Sequence, residues 1–419
     1  MDNRREFIKK SSLLAGAAGL MNMLPLAVQK ALAINPSPGS TWQDAEHIVL
    51  LMQENRSFDH CFGTLKGVRG FNDPRAIKLP DSNKVWLQTN EKGETYAPFR
   101  LNIKDTRTTW MGSLPHSWSN QVDARNNGKY DKWLDVKKPG EPYENIPMTM
   151  GYYTREDIPF YYALADAFTV CDQHFCSALA GTTPNRLFFW TGTVREDANS
   201  KARVRNGDTD YDTEAEWKTF PERLEDNGIS WKIYQNELSV GVGFEGEEDA
   251  WLANFTDNPI EWFKQYNVKL SKGYIDYLQK AEPLLIKKIA TLKSKAGTNS
   301  SEEQKKVNEE IADLEKEFAV VKAHKPIYTK EKYDALSVFE KNIHDKAFTT
   351  NSNDTHYHEL TALHYKNGGN EEEIALPKGD TLHQFRDDVK NGKLPAVSWI
   401  VAPENFSDHP GAPWYGAWY

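Results

Sequence analysis

His47-Ile48-Val49-Leu50-Leu51-Met52-Gln53-Glu54-Asn55-Arg56-Ser57-Phe58-Asp59 is the stretch on which the reading of this chain turns. From Ile48 to Met52 every side chain is apolar, so both faces of the segment call for burial, as in a strand inside a parallel sheet. The polar Gln53-Glu54-Asn55 then falls where that strand ends. Ligands of open α/β sheets bind outside the carboxyl ends of the strands, which positions Glu54 and Asn55 to meet a substrate or a cation. A carboxylate beside an amide oxygen supplies hard oxygen ligands. Taken alone, the pattern reads more readily as an ion-paired turn, and the neighbouring motifs reverse that preference.

Three further runs read as strands: Phe168 to Cys171, Ile229 to Tyr234 and Ala396 to Val401. Helices are expected over Pro159 to Ala167 and Phe220 to Asp226. Strands alternating with helices predict an α/β fold. Between about 250 and 380 the pattern changes to a helical insertion. Leu285, Ile289 and Leu292 form one apolar stripe, and Val307, Ile311, Leu314, Phe318 and Val321 form another. Gly297 to Ser301 separates them, with Ser301 and Gln304 as a capping box, which predicts a helical hairpin with charged outer faces.

The chain has 419 residues, 39% hydrophobic and 12% aromatic, enough for one large domain with an insertion or for two domains. The formal charge is −9; the first 33 residues carry five Lys/Arg and two Asp/Glu, so the remainder stands at −12. An acidic surface without a basic run excludes general nucleic-acid binding. The three cysteines, Cys61, Cys171 and Cys176, have no metal-ligand spacing, although Cys171 and Cys176 could pair.

At the N-terminus, Arg4-Arg5 precedes a modest apolar run, Leu13 to Leu20, and then the small-x-small Ala31-Leu32-Ala33. The pattern is that of a twin-arginine export signal over residues 1–33, with the mature protein starting near Ile34. The apolar run is too short for a membrane anchor. A Pro/Ser/Gly-rich linker over 34–45 leads into the main domain, 46–419.

The second constellation is Ser177-Ala178-Leu179-Ala180-Gly181-Thr182-Thr183-Pro184-Asn185-Arg186. Pro184 suits the first position of a helix and Thr183 its cap. Thr182 then sits just before a helix N-terminus, where unpaired N–H groups and the helix dipole favour a bound phosphate. A hydroxyl needs activation by a metal or a base to act as a nucleophile. Most such threonines only cap a helix.

His47 to His60, Phe62-Gly-Thr-Leu-Lys-Gly-Val-Arg-Gly-Phe-Asn-Asp-Pro74 and Val397-Ser-Trp-Ile-Val-Ala-Pro-Glu404 together resemble the bacterial phospholipase C/acid phosphatase family of phosphoesterases, and within it the phosphocholine-specific, non-haemolytic branch. The family belongs to the alkaline phosphatase-like superfamily. The resemblance covers nearly all of the chain from Glu46 and implies a three-layer αβα sandwich. It implies that Glu54 and Asn55 are a metal-binding pair and that Thr182 is both nucleophile and metal ligand, with Asn185 at the phosphate. His116, in Leu114 to Asn120, and His409, in Ser407 to Pro410, match histidines near the phosphate.

The implied cofactor is a divalent metal ion, and the implied partners are a phospholipid, the twin-arginine export machinery and, peripherally, a membrane. A choline head group would need an aromatic cage, which 13 Trp and 18 Tyr could build. The family's later acidic metal pair is expected beyond Tyr419, so the sequence reads as the N-terminal part of a longer protein. Two other readings stand beside the phospholipase C: an acid phosphomonoesterase with the same site, and an exported phosphoester-binding protein without turnover.

Overall fold

The computed structural model describes residues 25–35, 37–103, 113–295, 301–367, 369–407 and 409. In chain order its main elements begin with β1 (Ile48–Leu51), α1 (Pro159–Ala167), α2 (Thr182–Thr191), α3 (Phe220–Asp226) and β2 (Trp231–Tyr234). They continue with α4 (Lys272–Lys295), α5 (Ser301–His324), α6 (Val338–Ala347), the strands β3 (Leu360–Asn367) and β4 (Asn370–Pro377), α7 (His383–Lys390) and β5 (Val397–Ile400).

β1, β5 and β2 form a three-stranded parallel sheet in the order β1-β5-β2, with Ile48 and Trp231 both registered on Val397. Side chains alternate along a strand, so Trp231, Ile233, Val397 and Trp399 share one face. Helices α2 and α3 cover that face: Trp190 stacks on Trp399 with centroids 4.8 Å apart, and Phe220 meets Trp399 edge-on at 6.2 Å. Lys232 and Tyr234 point the other way, onto α7, where Asp388 Oδ2 accepts from Lys232 Nζ at 2.6 Å and from the Tyr234 hydroxyl at 2.7 Å. Helices on both faces of a parallel sheet make a mixed α/β fold.

Three of the four expected strands are present. Phe168 to Cys171 is not one: α1 ends at Ala167, Phe168 is its C-cap and is exposed, and the chain turns away to place Asp172, which accepts from Arg69 N at 2.8 Å. β1 also departs from the expected buried strand. It pairs on one side only, and among the described residues no strand lies on its other edge, which leaves Ile48 and Leu51 about half exposed, at 51% and 52%.

The helical hairpin of the insertion is present as α4 and α5, packed through Leu285, Leu314 and Val321 into the main core. Its turn, Gly297 to Ser300, lies outside the described residues, as does the Ser301 side chain of the expected capping box. The insertion is not all helical. β3 and β4 form an antiparallel hairpin closed near Gly369, whose φ of 93° is a conformation that glycine adopts without penalty. Asn367-Gly368-Gly369-Asn370 between two extended runs is a hairpin signal that a search for helical stripes passes over. Among the described residues no helix is long and apolar enough to cross a membrane. Of the expected export signal, residues 1–24 lie outside the description, while Leu26–Ala33 is helical and packs Val28 and Leu32 on Ala167 of α1. Cys171 and Cys176 are both exposed and not bonded to each other.

Candidate active site

The polar turn after β1 and the N-terminus of α2 meet. Thr182 Oγ1 donates to Glu54 Oε2 at 3.1 Å, and Arg186 Nε donates to Glu54 Oε1 at 3.0 Å. Thr182 and Arg186 are four residues apart on α2, so they share one face of the helix and take one carboxylate oxygen each. The Arg186 side chain is 3% exposed and is fully engaged: it also donates to the carbonyl oxygens of Asp257 and Met52 and pairs with Asp257 Oδ2 at 2.6 Å.

α2 begins at Thr182, earlier than expected, with Gly181 as its N-cap and Pro184 two positions further in rather than first. Pro184 is tolerated there because its missing N–H belongs to the set that has no intrahelical partner. Thr183 does not cap the helix. Its own N–H donates to Asn206 Oδ1 at 3.2 Å, and a Cβ on Gly181 would stand 2.8 Å from that same oxygen. Asn185 is turned back on the approach loop: Nδ2 donates to the carbonyls of Ala178, Ala180 and Gly181, and Oδ1 accepts from Ala178 N. These bonds fix the turn that delivers Thr182.

His409 stands on the other side of Glu54, with Nε2 3.4 Å from Oε2. Its Nδ1 meets the Ser407 hydroxyl, and its ring packs edge-on against Phe255 at 4.8 Å. Phe255 and Asp257 come from one loop, Asn254 to Asn258, in which Phe255 and Thr256 both have left-handed φ, 56° and 57°. Non-glycine residues pay for that conformation, and here a buried network holds it. Asn254 Nδ2 donates to Gln235 Oε1 and Glu261 Oε1, and Asn258 Nδ2 to Gln235 Oε1.

Burial by itself would raise the Glu54 carboxyl, but His409 and Arg186 outweigh it and hold the group below the ordinary range, so it is ionised. Burial pushes Asp257 well up against the pull of Arg186, with Glu54 and Glu404 adding to the rise, and its Oδ1 is buried without a partner.

Asn55 and His116 line one groove of about 200 Å³ beside this cluster, together with Lys137. His116 is exposed, its Nδ1 on the carbonyl of Leu114 at 2.7 Å, and it also lines an adjoining groove that reaches Gly181. It is thus near the turn before Thr182 but makes no hydrogen bond to Thr182 or Glu54. Burial lowers the Lys137 amine to about 8, and its Nζ donates to Pro115 O and Gln121 Oε1. Sequence motifs alone do not nominate Arg186, Asp257 or Lys137 as site residues. For Arg186 a signal exists, since Thr-x-x-x-Arg at the start of a helix puts both side chains on one face.

Glu54, Asn55 and Thr182 are hard oxygen donors and fit a divalent cation in kind. Among the described residues no group of three or more His, Cys, Asp and Glu comes together as a metal cage.

The arrangement defines a class: an α/β protein with a hydroxyl on an ionised carboxylate at a helix N-terminus, beside a histidine and at the carboxyl end of a parallel strand. The Phosphoesterase family model matches residues 45–295 and 290–419, and this chain belongs to that family. It is 34% identical over 427 residues to a non-hemolytic phospholipase C of Burkholderia pseudomallei, covering 100% of this chain and 46% of that protein. It is 42% identical over 269 residues to a non-hemolytic phospholipase C of Pseudomonas aeruginosa, covering 63% and 36%. With phospholipase C B of Mycobacterium tuberculosis it shares 39% over 255 residues, 58% of this chain and 49% of that one. The chain spans about half the length of the curated relatives it matches.

Proposed function

We propose that the protein is an exported phosphoric diester hydrolase of the phospholipase C type, which cleaves phosphatidylcholine-like lipids to diacylglycerol and phosphocholine with Thr182 as nucleophile. The observation that carries this reading is the Thr182 hydroxyl donating to an ionised, clamped Glu54 at the start of a ten-residue helix, in a chain of the Phosphoesterase family. The names of the relatives support the choice of substrate class.

The hydrogen bond to Glu54 Oε2 aims the Thr182 lone pairs away from the carboxylate and gives the hydroxyl proton a destination. Oγ1 attacks phosphorus, the bond from phosphorus to the diacylglycerol oxygen breaks, and that oxygen takes a proton from His409 or His116. Water then attacks phosphorus of the phosphocholine–threonine ester and gives a proton to the histidine that lost one, the bond from phosphorus to Oγ1 breaks, and Oγ1 takes its proton back from Glu54 as phosphocholine leaves. Arg186 holds Glu54 in place throughout and keeps it anionic until it takes the Thr182 proton, and Asn185 keeps Gly181 in the turn that presents Thr182.

A divalent cation would be held by Glu54, Asn55 and Thr182 and would supply Lewis-acid stabilisation of the phosphate and of the threonine oxygen. We take the parallel sheet with helices on both faces to be part of an alkaline phosphatase-like sandwich. The twin-arginine pattern of residues 1–33 supports export, and Phe175 (77% exposed) and Leu179 on the loop into Thr182 support contact with a lipid surface. Hydrolysis of phosphatidylcholine compared with a simple aryl phosphate tests the reading: preference for the lipid is expected, and turnover of the aryl phosphate alone would make the protein a phosphomonoesterase.

A further inference from the structure

His116 sits in a turn, Leu114-Pro115-His116-Ser117, whose carbonyl oxygens are held one after another. His116 Nδ1 is 2.7 Å from the Leu114 carbonyl; a carbonyl only accepts, so Nδ1 carries a proton and Nε2 is the nitrogen left to give or take one. The Pro115 carbonyl accepts from Lys137 Nζ at 2.7 Å. The His116 carbonyl accepts from Gln121 Nε2 at 3.5 Å, and Gln121 Oε1 accepts from the same Lys137 Nζ at 2.9 Å. One ammonium therefore grips the backbone on both sides of His116, directly before it and through Gln121 after it.

Two short helices bring these groups together. Ser117 caps the helix Trp118–Arg125, and the Gln121 N–H donates to the Ser117 carbonyl one turn in. Lys137 is the C-cap of the helix Trp133–Val136, with its N–H on the Trp133 carbonyl at 2.8 Å. It is 6% exposed, and burial lowers its amine to about 8. Both acceptors of Nζ are neutral, a backbone carbonyl and a side-chain amide. Desolvating an ammonium to hold two neutral oxygens is a poor source of stability, because an apolar side chain of similar length avoids the cost. What the ammonium adds is geometry, since charge-assisted hydrogen bonds are shorter and stronger than neutral ones.

The two histidines by the site differ in placement. His409 Nε2 is 3.4 Å from Glu54 Oε2, the oxygen that also takes the Thr182 hydroxyl, so it stands on the nucleophile's side. In-line displacement puts the leaving oxygen opposite Oγ1. His116 lines the groove that holds Asn55 and the one that reaches Gly181.

We propose that Lys137 is a positioning residue, which fixes the turn Leu114 to Ser117 so that His116 Nε2 delivers its proton to the diacylglycerol oxygen as the bond from phosphorus to that oxygen breaks. His116 keeps its Nδ1 proton on Leu114 throughout, and Nε2 regains a proton from the attacking water. This role rests on the phospholipase C reading of the site, with His116 rather than His409 as the acid.

Hydrolysis of phosphatidylcholine and of nitrophenyl phosphocholine by the full chain tests it, because nitrophenolate leaves without needing a proton. His116→Ala is expected to lower kcat on the lipid about 10²-fold, and Lys137→Met about tenfold or more, with KM little changed. On the nitrophenyl ester both variants are expected to stay within about threefold of the parent. In the His116→Ala background, Lys137→Met is expected to cost nothing further. Gln121→Leu, on the half-buried face of its helix, cuts only the link to the His116 carbonyl and decides the matter if Lys137→Met does not fold; a smaller loss confined to the lipid is expected. The proposal is overturned if these variants keep the parent's kcat on the lipid, if they slow both substrates equally, or if they slow the His116→Ala protein as much as the parent. Full lipid turnover by His116→Ala overturns it as well.

Long-range nitrogen–proton NMR of histidine-labelled protein reads the turn without turnover, with His116 identified by its absence from His116→Ala. A single Nδ1–H tautomer is expected for His116 in the parent and a mixture in Lys137→Met. An unchanged His116 signal in the variant overturns the positioning role, whereas a parent that fails to hydrolyse the lipid while this signal responds overturns only the phospholipase C reading.

Discussion

Arg186 Nε donates to Glu54 Oε1 at 3.0 Å, from the same face of α2 whose Thr182 donates to Oε2. A single helical face therefore sets both oxygens of the carboxylate. Arg186 is in turn held by Asp257, so strand end, helix start and the Asn254 to Asn258 loop are tied through one guanidinium.

Removing that guanidinium takes the shared cation from two buried carboxyl groups, leaving Glu54 with only Thr182 and His409 on Oε2. Arg186→Met is expected to lower stability by about 3–5 kcal/mol, the usual cost of breaking a buried pair from one side. Arg186→Lys keeps the charge but not the fork and is expected to cost less. Urea unfolding monitored by tryptophan fluorescence measures both, and a loss under about 1 kcal/mol for Arg186→Met would mean that the pairs do not persist in solution.

Gly181→Ala addresses geometry without touching a reacting group. The added Cβ meets Asn206 Oδ1 at 2.8 Å, so either Asn206 releases Thr183 N or the turn shifts and carries Thr182 with it. Displacing a nucleophile by about 1 Å costs on the order of 10²-fold in rate. The expected outcome is a fall in kcat of that order with the thermal midpoint little changed, read from hydrolysis assays and calorimetry on the same preparation.

Much of this frame is legible in the sequence, and the reason differs from element to element. Ile48 to Met52 reads as a strand because its apolar run has the right length, and α1 and α3 read correctly because Pro159 and Thr219-Phe220-Pro221 mark their starts. Phe168 to Cys171 has strand-like residues but finds no neighbouring strand, and pairing is a tertiary fact that local composition does not carry. Thr182, Glu54 and His409 come from three distant segments that sequence motifs can nominate separately. The Arg186–Asp257 link depends on a loop with two consecutive left-handed residues, which Asn254-Phe-Thr-Asp-Asn258 does not announce.

The network beneath that loop titrates. Burial pushes Glu261 up from 4.5 to about 7, although Tyr211, Asn254 and Ser239 all donate to it. Between those two values the folded protein keeps a proton that the unfolded chain has lost. Stability from this group is therefore full below 4.5, falls as pH rises towards about 7, and is level above, by about 3 kcal/mol in all. Glu261→Gln is expected to flatten this part of the curve of unfolding free energy against pH; an unaltered slope would place the titrating group elsewhere.

Trp399 couples the sheet to α2. Its ring stacks on Trp190 at 4.8 Å and also touches Phe220 and Trp231. Trp399→Ala is expected to cost about 3–5 kcal/mol through the cavity left behind. Because Trp190 is on α2, the variant is also expected to lose activity at temperatures where it remains folded by circular dichroism.

The proposed role of the Thr182 hydroxyl as nucleophile is measured most directly by kcat for phosphatidylcholine hydrolysis by Thr182→Ala. With Glu54, Arg186 and His409 unchanged and the fold verified by its thermal midpoint, a loss of at least about 10³-fold is predicted, as for removal of a nucleophile elsewhere. Hydrolysis within a few-fold of the parent protein would show that phosphorus is attacked by another group.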